Sequence, residues 1–322
     1  MGVALQNPVG NNPSITAREA VGNGLFPVCG MRTSHGPLIS PDAPTVSWAD
    51  LAVAAVQSGV SGDADAKQRR IEALWAPNTV AFLSVVTALD ALLQVHAFSP
   101  GTEFIMPAVT IPHVVEVLAH HRIFGVPTDP GGDTLAIDAV AVKRAITRRT
   151  RGILVGHPRG ALLQLDEIAA LARDHALLLI EDCSQTHDDS GYRGHPHADV
   201  TMFSFGAISG ETALGGALLR CDDAALATHL RQHQGSYPRE SASVFRERIA
   251  AVAADKTVAI RSVFNAWVAV RRWLGVDHAA TLGTAPRGVE DGDMFTKLRQ
   301  RPSLPQLRVL NRRLRALGDG VA

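Results

Sequence analysis

Between Thr79 and His233 the chain alternates short apolar runs with longer stretches whose apolar positions recur at helical spacing. The stretches FLSVVTALDALLQVH, PHVVEVLAHH, IDAVAVKRAI and LDEIAALARDHA predict helices, and another opens near Asp223. The runs TEFIMP, IFGVP, RGILVGH, LLLIED, VTMFSF and ALGGALLR predict strands, the first stopped by Pro107. Apolar strands alternating with amphipathic helices imply an α/β fold with a mostly parallel sheet covered on both faces. Ligands of such sheets gather beyond the carboxyl ends of the strands, where Asp182 and Ser204 stand.

The flanks differ. Residues 1–45 are rich in Gly, Pro, Asn and Ser without periodicity and predict an extended or disordered arm. Order is expected from SWADLAVAAVQSG, with Ser47 as a helix cap. After Gly235 one or two long helices are predicted, with Phe245, Ile249, Val252, Ile260, Val263, Trp267 and Val270 near one stripe. That face is expected to pack on the main domain or on a second subunit. A Gly- and Asp-rich loop and a last helix, SLPQLRVLNRRLRAL, follow. The expected division is an arm at 1–45, a large domain at 46–235 and a helical region at 236–322.

Composition narrows the function classes. With 322 residues, 46% of them hydrophobic, the chain can bury a sizeable core. Its Lys+Arg and Asp+Glu counts are both 31, so the basic excess of a nucleic-acid binder is missing. Cys29, Cys183 and Cys221 are scattered, giving neither a disulfide framework nor a zinc pattern, and no metal is expected. No run approaches the roughly 20 apolar residues of a membrane span, and the expected setting is cytoplasmic.

Three stretches then carry a resemblance: PGTEFIMPAVTIP, GHPRGALLQLDEIAALARDHALLLIEDCSQTH and ADVTMFSFGAISGETALGGALL. Their order and content resemble the DegT/DnrJ/EryC1/StrS sugar aminotransferases, pyridoxal-phosphate (PLP) enzymes of fold type I. The resemblance runs from about Asn78 to Leu230 and implies a fold type I large domain with a shortened helical C-terminal region. It implies that Asp182 faces the ring nitrogen of the cofactor, where a carboxylate favours the protonated form. Gln185 matches the side chain beside the ring hydroxyl, His187 the histidine against the cofactor, and Ser204 the serine that touches its phosphate. His157 matches the turn histidine and is expected to support the loop.

Against that pattern, Ser209 stands where the family's Schiff-base lysine belongs. A hydroxyl cannot hold an aldehyde as an imine, and Lys67, Lys143, Lys256 and Lys297 are the chain's only lysines. In the phosphate cup, SVVTAL (Ser84–Leu89) puts Val85 and Val86 where the family has Gly and Thr, leaving Thr87 or Asn78 as substitute partners. Ile111 stands where relatives often carry a ring-stacking aromatic. The resulting expectation is an aminotransferase-like protein with no covalent cofactor. It is a pseudoenzyme, or the partner of an intact homologue, in sugar or natural-product metabolism, as a homodimer or heterodimer. Two alternatives stay open: a B6-independent enzyme using Asp182, His187 and Ser209 on another small molecule, or a lysine-less enzyme binding PLP or its amine form, PMP, non-covalently. Cys183 follows Asp182 on a strand and is expected to point the other way, into the core.

Overall fold

The computed structural model describes residues 46–129, 137–186, 191–206, 212–273 and 294–319; the predicted arm lies outside them. Seven strands form one sheet: β1 (Thr79–Phe82), β2 (Glu103–Pro107), β3 (Phe124–Thr128), β4 (Thr150–Gly156), β5 (Leu178–Asp182), β6 (Val200–Ser204) and β7 (Ala217–Cys221). Their order is β1-β7-β6-β5-β4-β2-β3, and only β7 runs antiparallel to its neighbours. The carboxyl ends of the other six strands therefore share one rim.

The helices are α1 (Trp48–Gln57), α2 (Ala64–Trp75), α3 (Val85–His96), α4 (Pro112–His120), α5 (Ala139–Ala145), α6 (Asp166–Asp174), α7 (Ala224–Gly235), α8 (Ala242–Val258), α9 (Arg261–Trp273), α10 (Met294–Leu298) and α11 (Leu304–Asp319). Helices α3, α4 and α7 pack on one sheet face against Phe82, Met106, Leu154, Ile180 and Met202. On the other face, α5 and α6 cover Ile105, Ile153, Val155 and Leu179. Trp75, Phe245 and Leu307, from α2, α8 and α11, cover Phe203 and Leu218 beside them. Leaving β2 the chain turns outward through α4 to β3, whereas leaving β4 it turns inward through α6, on the opposite face, to β5. The crevice between the ends of β2 and β4 is thus a topological switch point, where α/β sheets bind ligands.

Two elements were hidden in the sequence. Helix α2 buries Gln68, Ile71, Glu72 and Trp75, a helical stripe disguised because two of its positions are polar. Gln68 Nε2 donates to Glu72 (2.9 Å) and to the Gln234 amide oxygen (2.9 Å), which ties the stripe to α7 and leaves the Gln68 amide oxygen buried without a partner. Strand β1 has only four residues, all buried, and ends two residues before the cap of α3. The run ALGG does not yet belong to β7. Gly215 has φ +128°, and a Cβ there would meet Gln306 Nε2 at 2.7 Å.

The C-terminal stripe is two helices, α8 and α9. Phe245, Ile249 and Val252 are buried as expected, but beyond the break Ile260 and Val270 are exposed and Phe264 is buried instead. At α1 the expected cap is present as a reciprocal box: Ser47 Oγ accepts from the Asp50 amide (3.0 Å), and Asp50 accepts back from Ser47. Ser47→Ala is expected to lower stability by about 1 kcal/mol in urea unfolding, with an unchanged slope.

Candidate functional site

A cavity of about 250 Å³ opens at the switch point, walled by Pro107 and Ile111 after β2, Gly156 and His157 at β4, and Asp182 and Gln185 at β5. Residue pairing fixes which side chains face it. Gly156, Asp182 and Met202 lie side by side across β4, β5 and β6, and period two sets Ser204 on the same face. A Cβ at Gly156 would meet nothing within 4 Å, which leaves the floor beside Asp182 open.

Asp182 ends β5 by bending the chain. Its Oδ1 accepts from the Ser184 amide (2.9 Å) and from the Ser184 hydroxyl, an Asx-type turn. Burial pushes its carboxyl up, against the lowering pull of the Ser184 hydrogen bonds and of His157; neighbouring Glu181 pushes the same way as burial. Among the described residues no Lys or Arg pairs with Asp182.

One residue back, Glu181 faces the other side of the sheet and anchors a network the sequence did not reveal. Its Oε1 accepts from His157 Nε2 (2.8 Å) and from the Tyr192 hydroxyl (2.5 Å). Its Oε2 accepts from the His195 amide (2.7 Å) and the Thr201 hydroxyl (3.1 Å). His157 Nδ1 accepts from the Leu163 amide (3.2 Å), so the ring's Nε2 carries the hydrogen given to Glu181. Burial pushes the Glu181 carboxyl up, but the hydrogen bonds from His157, Tyr192 and His195 outweigh it and hold the group below the usual range. His157 thus supports the loop, as expected. The one signal in the sequence was a charge at Glu181 inside an apolar parallel strand, where charges are rare unless paired.

Glu181, His157 and Cys183 have donor atoms within 4.8 Å of one another, a spacing a metal ion could use. Both Glu181 oxygens are already committed to four donors, and burial pushes the Cys183 thiol far up, so it keeps its proton and is a poor ligand. Cys183 points away from Asp182 into the apolar layer with Phe203 and Phe205, as period two predicts.

The other expected site residues are spread along the same rim. Gln185 is exposed at the cavity mouth. Ser204, partly buried at the end of β6, accepts from the Gly206 amide (3.2 Å). Ile111 sits at the cap of α4 and is 40% exposed on the cavity wall. Thr87, in the first turn of α3, is fully buried, and its hydroxyl donates to the Leu298 carbonyl of α10 (3.0 Å). The Ser84 hydroxyl accepts from the Thr87 amide (3.1 Å). Arg299 fixes the same segment by binding the buried Asp90 of α3 through two contacts, 2.9 and 3.1 Å. His187 and Ser209 lie outside the described residues. No lysine is among the described residues that wall the cavity.

A seven-stranded sheet with one antiparallel member, a carboxylate at the end of β5 and a serine at the end of β6 define an α/β protein with a polar ligand site at its sheet rim. The DegT/DnrJ/EryC1/StrS aminotransferase family model matches residues 71–251, and the chain belongs to that family. An L-glutamine:2-deoxy-scyllo-inosose aminotransferase of Micromonospora echinospora is 32% identical over 255 residues, 72% of this chain and 58% of that protein. The aminotransferase from Psychrobacter cryohalolentis superposes with a TM-score of 0.58 at 18% identity, over 87% of this chain and 64% of that one. A Streptococcus pneumoniae sugar aminotransferase, Spr1654, in its PLP form gives 0.51 at 22% identity, over 61% and 57%. The two structures speak for fold type I alone. The chain spans less than two thirds of the length of each of these relatives.

Proposed function

We propose that this chain is an aminotransferase-like protein that performs no conventional transamination and serves as a partner of an intact homologue. The sugar and natural-product amine chemistry of relatives such as the 2-deoxy-scyllo-inosose aminotransferase sets its expected context. The observation that carries the reading is a cavity that keeps the ring-nitrogen carboxylate, Asp182, and has no lysine on its described wall. Ser209 at the lysine position supports the same reading.

The residues present suit one end of pyridoxal phosphate better than the other. Asp182 would hold the protonated ring nitrogen, and Gln185 and Ile111 would border the ring. Bound there, the cofactor would supply an electron sink. At the other end, the Thr87 hydroxyl is already given to Leu298, leaving Ser204 and the backbone of the first turn of α3 to meet a phosphate. The fit therefore favours loose, non-covalent binding of PLP or PMP. Exposed Ile260 and Val270 offer apolar surface of the kind a partner subunit covers.

Copurification with an intact homologue, and recovery of a mixed dimer, tests the partner role; a chain that stays unpaired in every mixture overturns it. Asp182→Asn tests the carboxylate. The folded-state value of Asp182 is raised, so its favourable term is complete below the unfolded value of 3.8 and is lost as pH rises through the folded one. At pH 7 the half-buried charge therefore costs stability. Asp182→Asn is expected to melt higher at pH 7 than the native chain and no higher at pH 3, and to bind PMP more weakly by absorbance titration. Equal melting at both pH values contradicts the placement of that charge.

A further inference from the structure

A second cavity, of about 280 Å³, lies far along the chain from the sheet rim, in the groove between α2 and α11. Lys67 and Arg70 of α2 and Arg308 of α11 line it, and Arg315, about two helical turns further along α11, acts on Lys67 through its charge. The carboxylates nearby are committed elsewhere. Asp65 holds Arg239 (2.8 Å) and Arg301, Asp50 faces Arg312 (3.6 Å) and Arg313 (4.0 Å), and Glu72 holds Arg231 (3.2 Å). Among the described residues no carboxylate pairs with Lys67, Arg70, Arg308 or Arg315. The one acid on the wall, Asp63, caps α2 by accepting from the Asp65 and Ala66 amides. Three cations on the wall thus face one carboxylate, with Arg315 adding its charge from beyond it.

Arg308 is held in place without being neutralised. Its guanidinium donates to the carbonyls of Gln57 (3.2 Å), Val60 (2.7 Å) and Ser61 (2.7 Å). Gly62 makes this approach possible, because a Cβ there would meet Arg308 Nη2 at 2.9 Å. Uncompensated like charges in a concave site destabilise the free protein and are relieved by an anion. The Lys67 ammonium shows the crowding: burial lowers it first, then the charges of Arg70, Arg315 and Arg308.

We infer that the α2–α11 groove is an anion site for a phosphoryl group, with Lys67, Arg70 and Arg308 as its ligands and Arg315 as a supporting charge. A dianion matches the excess, and a fixed guanidinium beside the half-buried Lys67 and the exposed Arg70 suits phosphate oxygens. The site is separate from the Asp182 cavity and does not depend on the proposed function.

The test is thermal melting at low ionic strength with inorganic phosphate, pyrophosphate or chloride at matched ionic strength. Phosphate is expected to raise the melting temperature saturably and chloride is not. Pyrophosphate exceeding phosphate would identify linked phosphoryl groups as the ligand class, and parity a single group. Lys67→Ala with Arg70→Ala should melt higher than the native chain in chloride, because repulsion is relieved, and should bind phosphate about tenfold or more weakly. Arg70→Gln alone, an exposed change, should show the same direction if the double variant folds poorly. Ser204→Ala should leave the response intact. No phosphate-specific rise in the native chain, an equal rise in the groove variants, or loss of the rise in Ser204→Ala overturns the inference.

Discussion

Ser209→Lys, mixed with pyridoxal phosphate and freed of unbound cofactor, is expected to stay coloured, whereas the native chain treated alike is expected to be colourless. Borohydride should fix the cofactor to position 209, whereas the native chain should yield no such adduct. The contrast rests on one functional group: an amine can attack the aldehyde carbon and lose water, and a hydroxyl cannot hold the product. The native lysines stand elsewhere. Lys67 lies in the α2–α11 groove, Lys143 in the last turn of α5, and Lys256 with its ammonium 5.9 Å from the centre of the Trp48 ring. Lys297 belongs to α10, whose Leu298 carbonyl covers Thr87. Peptide mapping after reduction is the decisive measurement. A native chain whose adduct forms at a lysine reaching the Asp182 cavity refutes the proposed function, whereas labelling of Lys67, which lines the separate α2–α11 groove, does not. A variant that melts like the native protein yet stays colourless assigns the pocket to a different ligand. The adduct should also be washed out more easily before reduction than in an intact homologue, because the Thr87 hydroxyl is already engaged.

The sheet and its rim were legible because each buried strand announces itself locally. LLLIED and VTMFSF are short apolar runs ending in a polar residue, and in a parallel sheet the end of the run is the site. Period two alone fixed Cys183 opposite Asp182. What stayed hidden depends on partners distant in sequence. Gln68 and Glu72 read as solvent positions until Gln234, 166 residues on from Gln68, supplies the matching amide. Thr87 reads as a free hydroxyl until α10 comes back across 211 residues to cover it. Glu181 sat in plain view inside a quoted motif, but its role is set by Tyr192 and His195 in a turn with no periodicity to mark it. Polar networks are non-local, and their members carry no pattern of their own.

That network should carry the largest stability effect of any single side chain near the site. Glu181→Ala removes the acceptor of four donors, buried on His157 and Thr201 and half-buried on Tyr192 and His195, at a position with no solvent exposure. Each buried neutral donor left unsatisfied costs about 1–3 kcal/mol, and two of the four are buried, so the urea midpoint should fall steeply. Glu181→Gln keeps the shape and one carbonyl oxygen but turns an amide towards a donor, and should cost about 1–3 kcal/mol. The pH dependence gives an independent check. The folded-state value of Glu181 lies below its ordinary 4.5, so its contribution is complete above that value and fades as pH falls through the folded one. The gap between native chain and Glu181→Ala should therefore be full at pH 7 and should narrow on acidification below pH 4.5, as the native carboxylate takes up its proton. Trp75 reports the transition, since its ring lies 4.9 Å from Phe203 and 3.9 Å from the Arg193 guanidinium, beside Tyr192. A midpoint within experimental error of the native value would show that these four donors find other acceptors. The wall formed by Gly156, His157 and Pro158 would then owe its position to β4 alone. With the steep loss, Glu181 becomes the residue that holds that wall beside Asp182, and a loosened cavity should accompany the loss of stability.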